Sequence, residues 1–210
     1  MAIFEKEKWV DWIDQMAQHD YVVIRDFLPL SVYEKLKSYL NEKLDEQMFE
    51  QAGIGALADN HVITRIRGDE TFWLDRERDR GEIHEFYELV EEMIAYFNRL
   101  CYMSLSGFEF HFAHYPKGTF YKRHVDQFRD RSNRLITFIL YFNDDWKRGD
   151  GGELVIYREK EDIKVDPTGN SAVLFRTEGL EHEVLLSSES RFSLTGWLLY
   201  QPSNVGYIMG

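Results

Sequence analysis

From residue 108 onward, apolar and polar side chains alternate with a period of two, which is the repeat of a β-strand. Residues 108–115 alternate aromatic and polar side chains, and residues 135–142 form a nearly unbroken apolar run, as expected for a strand buried on both faces. Further short strands are predicted over residues 154–157, 163–165, 172–175, 183–186 and 192–200. Because Gly, Pro, Asp or Ser residues separate these segments, the pattern predicts a β-sandwich or a barrel.

The first half of the chain has a different period. Apolar residues recur at helical spacing over residues 9–19, 31–48 and 83–103, which predicts three helices. Strands are predicted over 21–24 and 62–66, and a loop over 51–60. The length fits one domain spanning 1–210, in which 1–107 is mostly helical support and 108–200 is the β core.

Composition argues against several classes of partner. The formal net charge of −12 argues against a nucleic-acid backbone as ligand, because phosphate contacts need clustered Lys and Arg. Cys101 is the only cysteine, so an intramolecular disulfide or a cysteine-based zinc finger is excluded. No apolar run predicts a secretory signal or a membrane helix. We therefore expect a cytoplasmic protein without nucleic-acid or membrane partners.

Two segments far apart in sequence offer metal ligands. In a strand over residues 121–126, His124 and Asp126 would project from the same face, and His182 would supply a third ligand. Two histidines and one carboxylate with open positions form the facial arrangement of non-haem Fe(II) oxygenases. The alternative is an exposed pair on a polar strand and an ordinary, partly buried histidine. His111 and His114 are interpreted as structural or surface residues.

Arg191 opens the last predicted strand. Alternation places it on one face with Ser193, Thr195 and Trp197. Since a guanidinium is a fixed two-pronged donor for carboxylates, an inward arginine near a metal histidine indicates an anionic organic co-substrate. The alternative is a surface arginine beside Glu189.

These residues together resemble the 2-oxoglutarate- and Fe(II)-dependent dioxygenases, and more closely the hypoxia-type prolyl 4-hydroxylases. Four stretches carry the likeness: 66–73, 121–126, 141–146 and 151–154. It covers about residues 65–200. The chain is acidic and short, and in these two properties it resembles a minimal, bacterial-type member of the family.

The resemblance implies a fold, cofactors and a reaction. The fold would be a double-stranded β-helix, the jelly roll of the cupins, with N-terminal helices packed on one sheet. His124, Asp126 and His182 would hold Fe(II), with 2-oxoglutarate and O2 as co-substrates and L-ascorbate as a candidate reductant. The reaction would be hydroxylation with release of succinate and CO2.

The resemblance also assigns roles to individual side chains. Arg191, assisted by Thr195 and Tyr141, would bind the distal carboxylate of 2-oxoglutarate, while Tyr115 and Trp197 would lie beside the metal. At the substrate loops, Asp69 would pair with Arg134. Residues 53–69 and 127–133 are candidate lids.

The implied substrate is a prolyl residue in a protein, hydroxylated at C4. Three alternatives remain open: the same chemistry on a free amino acid or small metabolite, a non-catalytic 2-oxoglutarate and metal sensor, and a cupin-like Zn or Mn protein in which Arg191 has no evident task.

Overall fold

The computed structural model describes residues 3–53, 66–127 and 133–200, without the side chain of Arg80. The helices are α1 Lys6–His19, α2 Leu30–Asp45 and α3 Arg76–Cys101. The strands are β1 Tyr21–Ile24, β2 Glu50–Gln51, β3 Glu70–Trp73, β4 Leu105–Tyr115, β5 Tyr121–His124, β6 Arg134–Tyr141, β7 Leu154–Ile156, β8 Ile163–Val165, β9 Ala172–Arg176, β10 His182–Val184 and β11 Arg191–Tyr200. The chain is thus a mixed α+β protein dominated by strands, as predicted.

Two antiparallel sheets form the core. The larger sheet has seven strands in the order β1-β9-β6-β11-β4-β3-β2, and the smaller has four in the order β5-β10-β7-β8. The sheets pack through an apolar cluster that includes Ile139 of β6, Ile156 of β7 and Phe175 of β9. Side chains of both sheets therefore meet in the layer between them.

The helices cover the other face of the larger sheet. On α1, the predicted apolar stripe of Trp9, Ile13 and Met16 is buried. Phe86 of α3 packs edge-on against Phe110 of β4, with ring centroids 5.1 Å apart. Within the described ranges, no helix is both long and apolar enough to cross a membrane.

Alternation in β6 assigns one face of the strand to each layer. Ile136, Phe138 and Leu140 belong to the core beneath the helices, whereas Ile139 and Tyr141 face the smaller sheet. The strand is apolar on both faces because both faces are covered, as the unbroken run over 135–142 predicted.

Two features of the first half differ from the sequence-based prediction. Helix α3 begins at Arg76 and not at residue 83, because Asp75 caps it by accepting from the Arg78 backbone N–H at 2.9 Å. Its polar first turns carry no apolar spacing, and the backbone is non-helical at Ile83 (φ −123°), so the periodic signal begins only there.

Strands β2 and β3 were also not predicted. These two strands pair with each other at the edge of the sheet, with Glu50 opposite Thr71. Because they are only two and four residues long, neither shows a recognisable alternation of apolar and polar residues. The predicted strand over 62–66 lies outside the described residues except for Ile66, which is in a turn. Much of both candidate lids, over 54–65 and 128–132, also lies outside them.

Gly196 lies so close to β4 that no side chain fits there. A Cβ atom there would lie 2.1 Å from Phe110 Cδ1 and 2.3 Å from the Glu109 carbonyl oxygen. We predict that Gly196→Ala lowers the free energy of unfolding by at least about 2 kcal/mol through overpacking, measured by urea denaturation.

Gly81 of α3 provides the matched control, because a Cβ there meets no atom within 4 Å. Gly81→Ala should raise the free energy of unfolding by about 1 kcal/mol through helix propensity. Equal effects of the two substitutions would contradict the strand packing described here.

Candidate metal and co-substrate site

Three predicted ligands converge between the sheets. His124 ends β5, His182 begins β10, and the two residues are paired across these strands. One potential ligand atom from each of His124, Asp126 and His182 lies within 4.8 Å of the other two. His124 Nε2 is 3.5 Å from Asp126 Oδ1, and His182 Nε2 is 3.6 Å from Asp126 Oδ2.

Asp126 reaches this cluster by a different route from the one predicted. Strand β5 ends at His124, so strand alternation does not position Asp126. Instead, Asp126 Oδ2 accepts hydrogen bonds from Thr137 Oγ1 and from Trp197 Nε1, each at 2.9 Å. Thr137 lies on β6 and Trp197 on β11, so the larger sheet fixes the carboxylate while the smaller sheet supplies the histidines.

Backbone carbonyls fix the tautomers of both histidines. His124 Nδ1 lies 2.7 Å from the Lys122 carbonyl oxygen, and His182 Nδ1 lies 3.2 Å from that of Leu180. Because a carbonyl only accepts, Nδ1 carries the proton in each ring. Each Nε2 lone pair is therefore available to a metal.

Electrostatic coupling keeps the carboxylate ionised. Burial opposes ionisation of Asp126, but His182 and His124 outweigh it and hold the pKa of Asp126 well below its usual value. Burial also lowers the pKa of His124. At His182, the attraction of Asp126 exceeds the effect of burial and raises the pKa. Once metal binding displaces any proton from Nε2, two imidazole nitrogens and one carboxylate are a donor set that fits Fe(II).

Arg191 forms a second buried centre. It is 2% exposed, and its guanidinium donates from Nε to the Gly152 carbonyl oxygen at 2.9 Å and from Nη1 to Ser193 Oγ at 3.2 Å. No carboxylate of the described residues forms an ion pair with it. Gly152 has φ +73°, and a Cβ there would lie 2.9 Å from Arg191 Cδ, so only glycine leaves this space.

Two tyrosines flank the guanidinium. The Arg191 carbon Cζ lies 4.7 Å from the ring centroid of Tyr115 and 5.0 Å from that of Tyr141. The Tyr141 hydroxyl is buried near the charge of Arg191, which opposes the effect of burial on its pKa, but among the described residues it makes no hydrogen bond of normal geometry. Burial raises the pKa of both phenols, so both stay protonated donors at neutral pH. A buried cation beside an unsatisfied hydroxyl is a fitting receptor for a carboxylate.

The other predicted cofactor-binding residues lie on the same inner face. Thr195 reaches Arg191 only through Ser193, since Thr195 Oγ1 lies 3.4 Å from Ser193 Oγ. Trp197 contacts the Asp126 carboxylate and not the Arg191 pocket. Sequence reasoning gave Ser193 and Thr137 a face but no role. Thr137 bonds Asp126, which lies outside any strand, and the role of Ser193 depends on the burial of the Arg191 guanidinium.

The predicted pairing of Asp69 with Arg134 is wrong. Asp69 pairs with Arg67, whose Nε and Nη2 donate to its carboxylate at 2.8 and 2.5 Å. Arg134 donates to Glu109 at 2.7 Å and stacks on Trp197 at 3.5 Å. Strand register is consistent with this result, since Glu109 lies opposite Trp197, on which the Arg134 guanidinium stacks.

Arg67 is a site residue that the sequence did not single out. It stacks on Tyr121 at 4.4 Å, and Tyr121 in turn stacks on the metal-site residue His124, with ring centroids 3.6 Å apart. Its local ion pair with Asp69 thus borders the cluster.

His111 is buried beside the metal site, 4% exposed. Its ring lies 4.7 Å from that of Trp73 and 5.6 Å from that of Trp197. Burial, with Arg67 and Arg134 adding to it, lowers its pKa to about 3, so the ring is neutral. Alternation in β4, which puts His111 on the face of Tyr115, is the sequence signal that could have placed it here.

Comparison with known proteins agrees with this geometry. Residues 110–199 match the family model of the 2OG-Fe(II) oxygenase superfamily. The fold is similar to that of a Pseudomonas putida prolyl-4-hydroxylase, with TM-score 0.83 and 29% identity over 92% of this chain and 99% of that one.

A second relative is a Trichoplax adhaerens prolyl hydroxylase in complex with a peptide fragment of the hypoxia inducible factor oxygen degradation domain. It gives TM-score 0.81 and 28% identity over 92% of this chain and 89% of that one. A Phytophthora capsici prolyl 4-hydroxylase shares the fold, with TM-score 0.75 and 22% identity over 97% of this chain and 68% of that one. These likenesses confirm the predicted jelly roll. Residues 110–199 thus match the 2OG-Fe(II) oxygenase superfamily, and the chain as a whole resembles the prolyl 4-hydroxylases.

Proposed function

We propose that the protein hydroxylates C4 of a prolyl residue in a protein substrate, using Fe(II), 2-oxoglutarate and O2 and releasing succinate and CO2. The observation that carries the proposal is the buried Arg191 guanidinium, without a carboxylate partner among the described residues and beside the unsatisfied Tyr141 hydroxyl. A buried cation in this state calls for an external anion. A cupin-like metal protein without an organic co-substrate offers no anion for it.

His124, Asp126 and His182 would hold the iron. When bound, Fe(II) together with 2-oxoglutarate supplies the O2 chemistry that converts a C–H bond to C–OH. Thr137 and Trp197 orient the Asp126 carboxylate, and the carbonyls of Lys122 and Leu180 orient the imidazoles. These outer contacts would keep the donor set rigid when a metal enters.

Arg191 and Tyr141 would bind the distal carboxylate of 2-oxoglutarate. Thr137, which holds the metal-site carboxylate, and Tyr141 lie on the same face of β6, four residues apart, or about 13 Å along a strand. The side chains of the metal centre and of the Arg191 centre extend toward each other and shorten this separation. A five-carbon dicarboxylate is therefore of suitable length to join the two centres. Ser193 would hold the guanidinium in place, with Thr195 behind it.

A prolyl substrate is supported by the two relatives that are 28% and 29% identical to this chain, one of which was solved with a peptide. The exposed Trp73 beside Trp197 offers apolar faces to an incoming ring. A free amino acid would serve the same chemistry, and a peptide-dependent rise in turnover separates the two cases. One domain over 1–210, a cytoplasmic setting and L-ascorbate as reductant remain predictions.

The direct test of this function is succinate formation. We predict that protein loaded with Fe(II) without oxygen forms succinate from 2-oxoglutarate when air is admitted, and that a pool of proline-containing peptides increases the rate. Arg191→Met should weaken 2-oxoglutarate binding about 100-fold, because charge-assisted hydrogen bonds are lost, while metal retention stays as in the wild type.

Arg176→Met, at an exposed arginine paired with Asp20, is the matched control and should leave both properties unchanged. Absence of succinate with and without peptides would favour a non-catalytic sensor. Unchanged 2-oxoglutarate affinity in Arg191→Met would contradict the pocket assignment.

The Tyr141 hydroxyl has a matched counterpart in Tyr87, whose buried hydroxyl also has no partner among the described residues. We predict that Tyr141→Phe raises the dissociation constant for 2-oxoglutarate about fivefold through loss of one hydrogen bond, measured calorimetrically without oxygen. Tyr87→Phe, on helix α3 at the opposite face of the larger sheet, should leave that constant unchanged. Equal effects would contradict a role for Tyr141 in co-substrate binding.

Thr137 positions the proposed carboxylate ligand. We predict that Thr137→Val weakens metal binding about tenfold, because an outer-shell hydrogen bond to Asp126 is lost, measured by competition with a chelator. The control is Thr177→Val, because the Thr177 hydroxyl lies 3.1 Å from that of Thr137 but makes no bond to Asp126. A tenfold loss in Thr177→Val alone would contradict this assignment.

A further inference from the structure

The three proposed metal ligands are not supported in the same way. Asp126 is held by two donors of the larger sheet, and His182 lies on a strand that pairs on both sides, with β5 and with β7. The His182 ring also packs edge-on against Phe175, with ring centroids 4.9 Å apart. His124 is different, because it ends β5, the outermost strand of the smaller sheet.

The strand ladder does not fix the ring of His124 by itself. Strands β5 and β10 are paired at His124 and at Tyr121, and the register shifts between these two pairs. In a regular strand, residues three apart point to opposite faces. The rings of Tyr121 and His124 nevertheless stack, with centroids 3.6 Å apart and an interplanar angle of 14°. The backbone of β5 is therefore irregular here, and the orientation of His124 depends on what holds Tyr121.

Arg67 holds Tyr121 through its side chain and its backbone. The guanidinium carbon Cζ lies 4.4 Å from the Tyr121 ring centroid. The backbone of Arg67 forms an antiparallel bridge with Tyr121, at the edge of β5 that β10 leaves free. Two backbone hydrogen bonds flank this bridge, from the N–H of Gly68 to the Phe120 carbonyl oxygen at 3.1 Å and from the N–H of Lys122 to the Ile66 carbonyl oxygen at 2.9 Å.

The Arg67 guanidinium is itself fixed by acceptors. Its Nε and Nη2 donate to the two carboxylate oxygens of Asp69, at 2.8 and 2.5 Å, and Nη1 donates to the Gly53 carbonyl oxygen at 3.2 Å. Asp69 is buried, and the desolvation of a buried ion pair offsets much of its attraction, so the pair is weak evidence for added stability. A two-pronged pair does fix the plane of the guanidinium, which is the property needed to hold an aromatic ring.

We propose that Arg67 is a positioning residue for the metal site, which packs on Tyr121 and thereby holds the imidazole of His124 in the orientation that a metal needs. Asp69 acts one step further out, by fixing the guanidinium. The proposal rests on the metal site of the proposed function, and it adds a support for the one ligand that lies at the edge of a sheet. It assigns the stack Arg67–Tyr121–His124 the same kind of role that Thr137 and Trp197 have for Asp126.

The test measures metal binding without turnover. Co(II) takes the place of Fe(II), its affinity for the full-length protein is measured by competition with a chelator, and its visible absorption bands report the coordination geometry. We expect Arg67→Met to weaken Co(II) binding about tenfold and to alter these bands, as the loss of an outer support does. Arg67→Lys keeps a charge beside Asp69 but lacks the planar group, so it should weaken binding about threefold. If Arg67→Met does not fold without metal, which urea denaturation shows, Arg67→Lys carries the test.

Arg123 offers a matched control on the same strand. Its half-exposed guanidinium packs on the Tyr157 ring, with Cζ 3.9 Å from the centroid, and the Tyr157 hydroxyl donates to Glu183 at 2.6 Å. Arg123→Met should therefore bind Co(II) like the wild type.

Variants of Tyr121 separate positioning from a general structural effect. Tyr121→Phe keeps the ring and should bind Co(II) like the wild type, whereas Tyr121→Leu should weaken binding about tenfold. In the Tyr121→Leu background, Arg67→Met should change the affinity less than about twofold, because the ring through which it acts is already lost.

Three outcomes would overturn the proposal and leave the metal site intact. They are wild-type affinity and absorption bands in the folded Arg67 variants, a tenfold loss in Arg123→Met, and a full tenfold effect of Arg67→Met in the Tyr121→Leu background. His124→Ala tests the site itself and should lose Co(II). If His124→Ala bound Co(II) as tightly as the wild type, the proposed metal site would be wrong, and this role of Arg67 with it.

Discussion

The site depends on the hydrogen bonds that hold the Asp126 carboxylate. Thr137 and Trp197, from two neighbouring strands of the larger sheet, both donate to one oxygen of a side chain that lies outside any strand. The histidines come from the smaller sheet. Asp126 thus links the two sheets, because it accepts hydrogen bonds from the larger sheet and lies beside the histidines of the smaller one. Burial of a carboxylate is unfavourable, and here two donors and two imidazoles compensate for it.

The inner face of the larger sheet has two chemically different ends, one on each side of Asp126. Toward Tyr115 the lining is cationic and rich in donors, with Arg191, Ser193 and Tyr141 around a space bordered by Gly152. In the other direction the lining is aromatic, and the nearby arginines already have carboxylate partners. Among the described residues, Arg191, a cation without a carboxylate partner, is at the first of these ends, which suits a dianionic co-substrate.

Much of this arrangement could be predicted from local patterns. The convergence of His124, Asp126 and His182 and the inward direction of Arg191 followed from residue type, alternation and the family resemblance. The prediction that was wrong paired two residues that are distant in sequence. Asp69 pairs with Arg67 and not Arg134, because the register of β4 against β11 brings Glu109 to Arg134.

The same limit applies to the roles of side chains. That His111 Nδ1 and the Tyr141 hydroxyl have no hydrogen-bond partner among the described residues could not be foreseen, because this depends on packing in three dimensions and has no sequence pattern. Similarly, Asp126 lies beyond the end of β5, so its position follows from hydrogen bonds and not from strand alternation.

A crystal structure of the protein grown without oxygen in the presence of Fe(II) and 2-oxoglutarate, with anomalous data at the iron edge, would test the proposed site. We expect one iron bound by His124, Asp126 and His182, and the distal carboxylate of 2-oxoglutarate within hydrogen-bond distance of Arg191 and Tyr141. Iron bound elsewhere, or a distal carboxylate that does not contact Arg191, would contradict it.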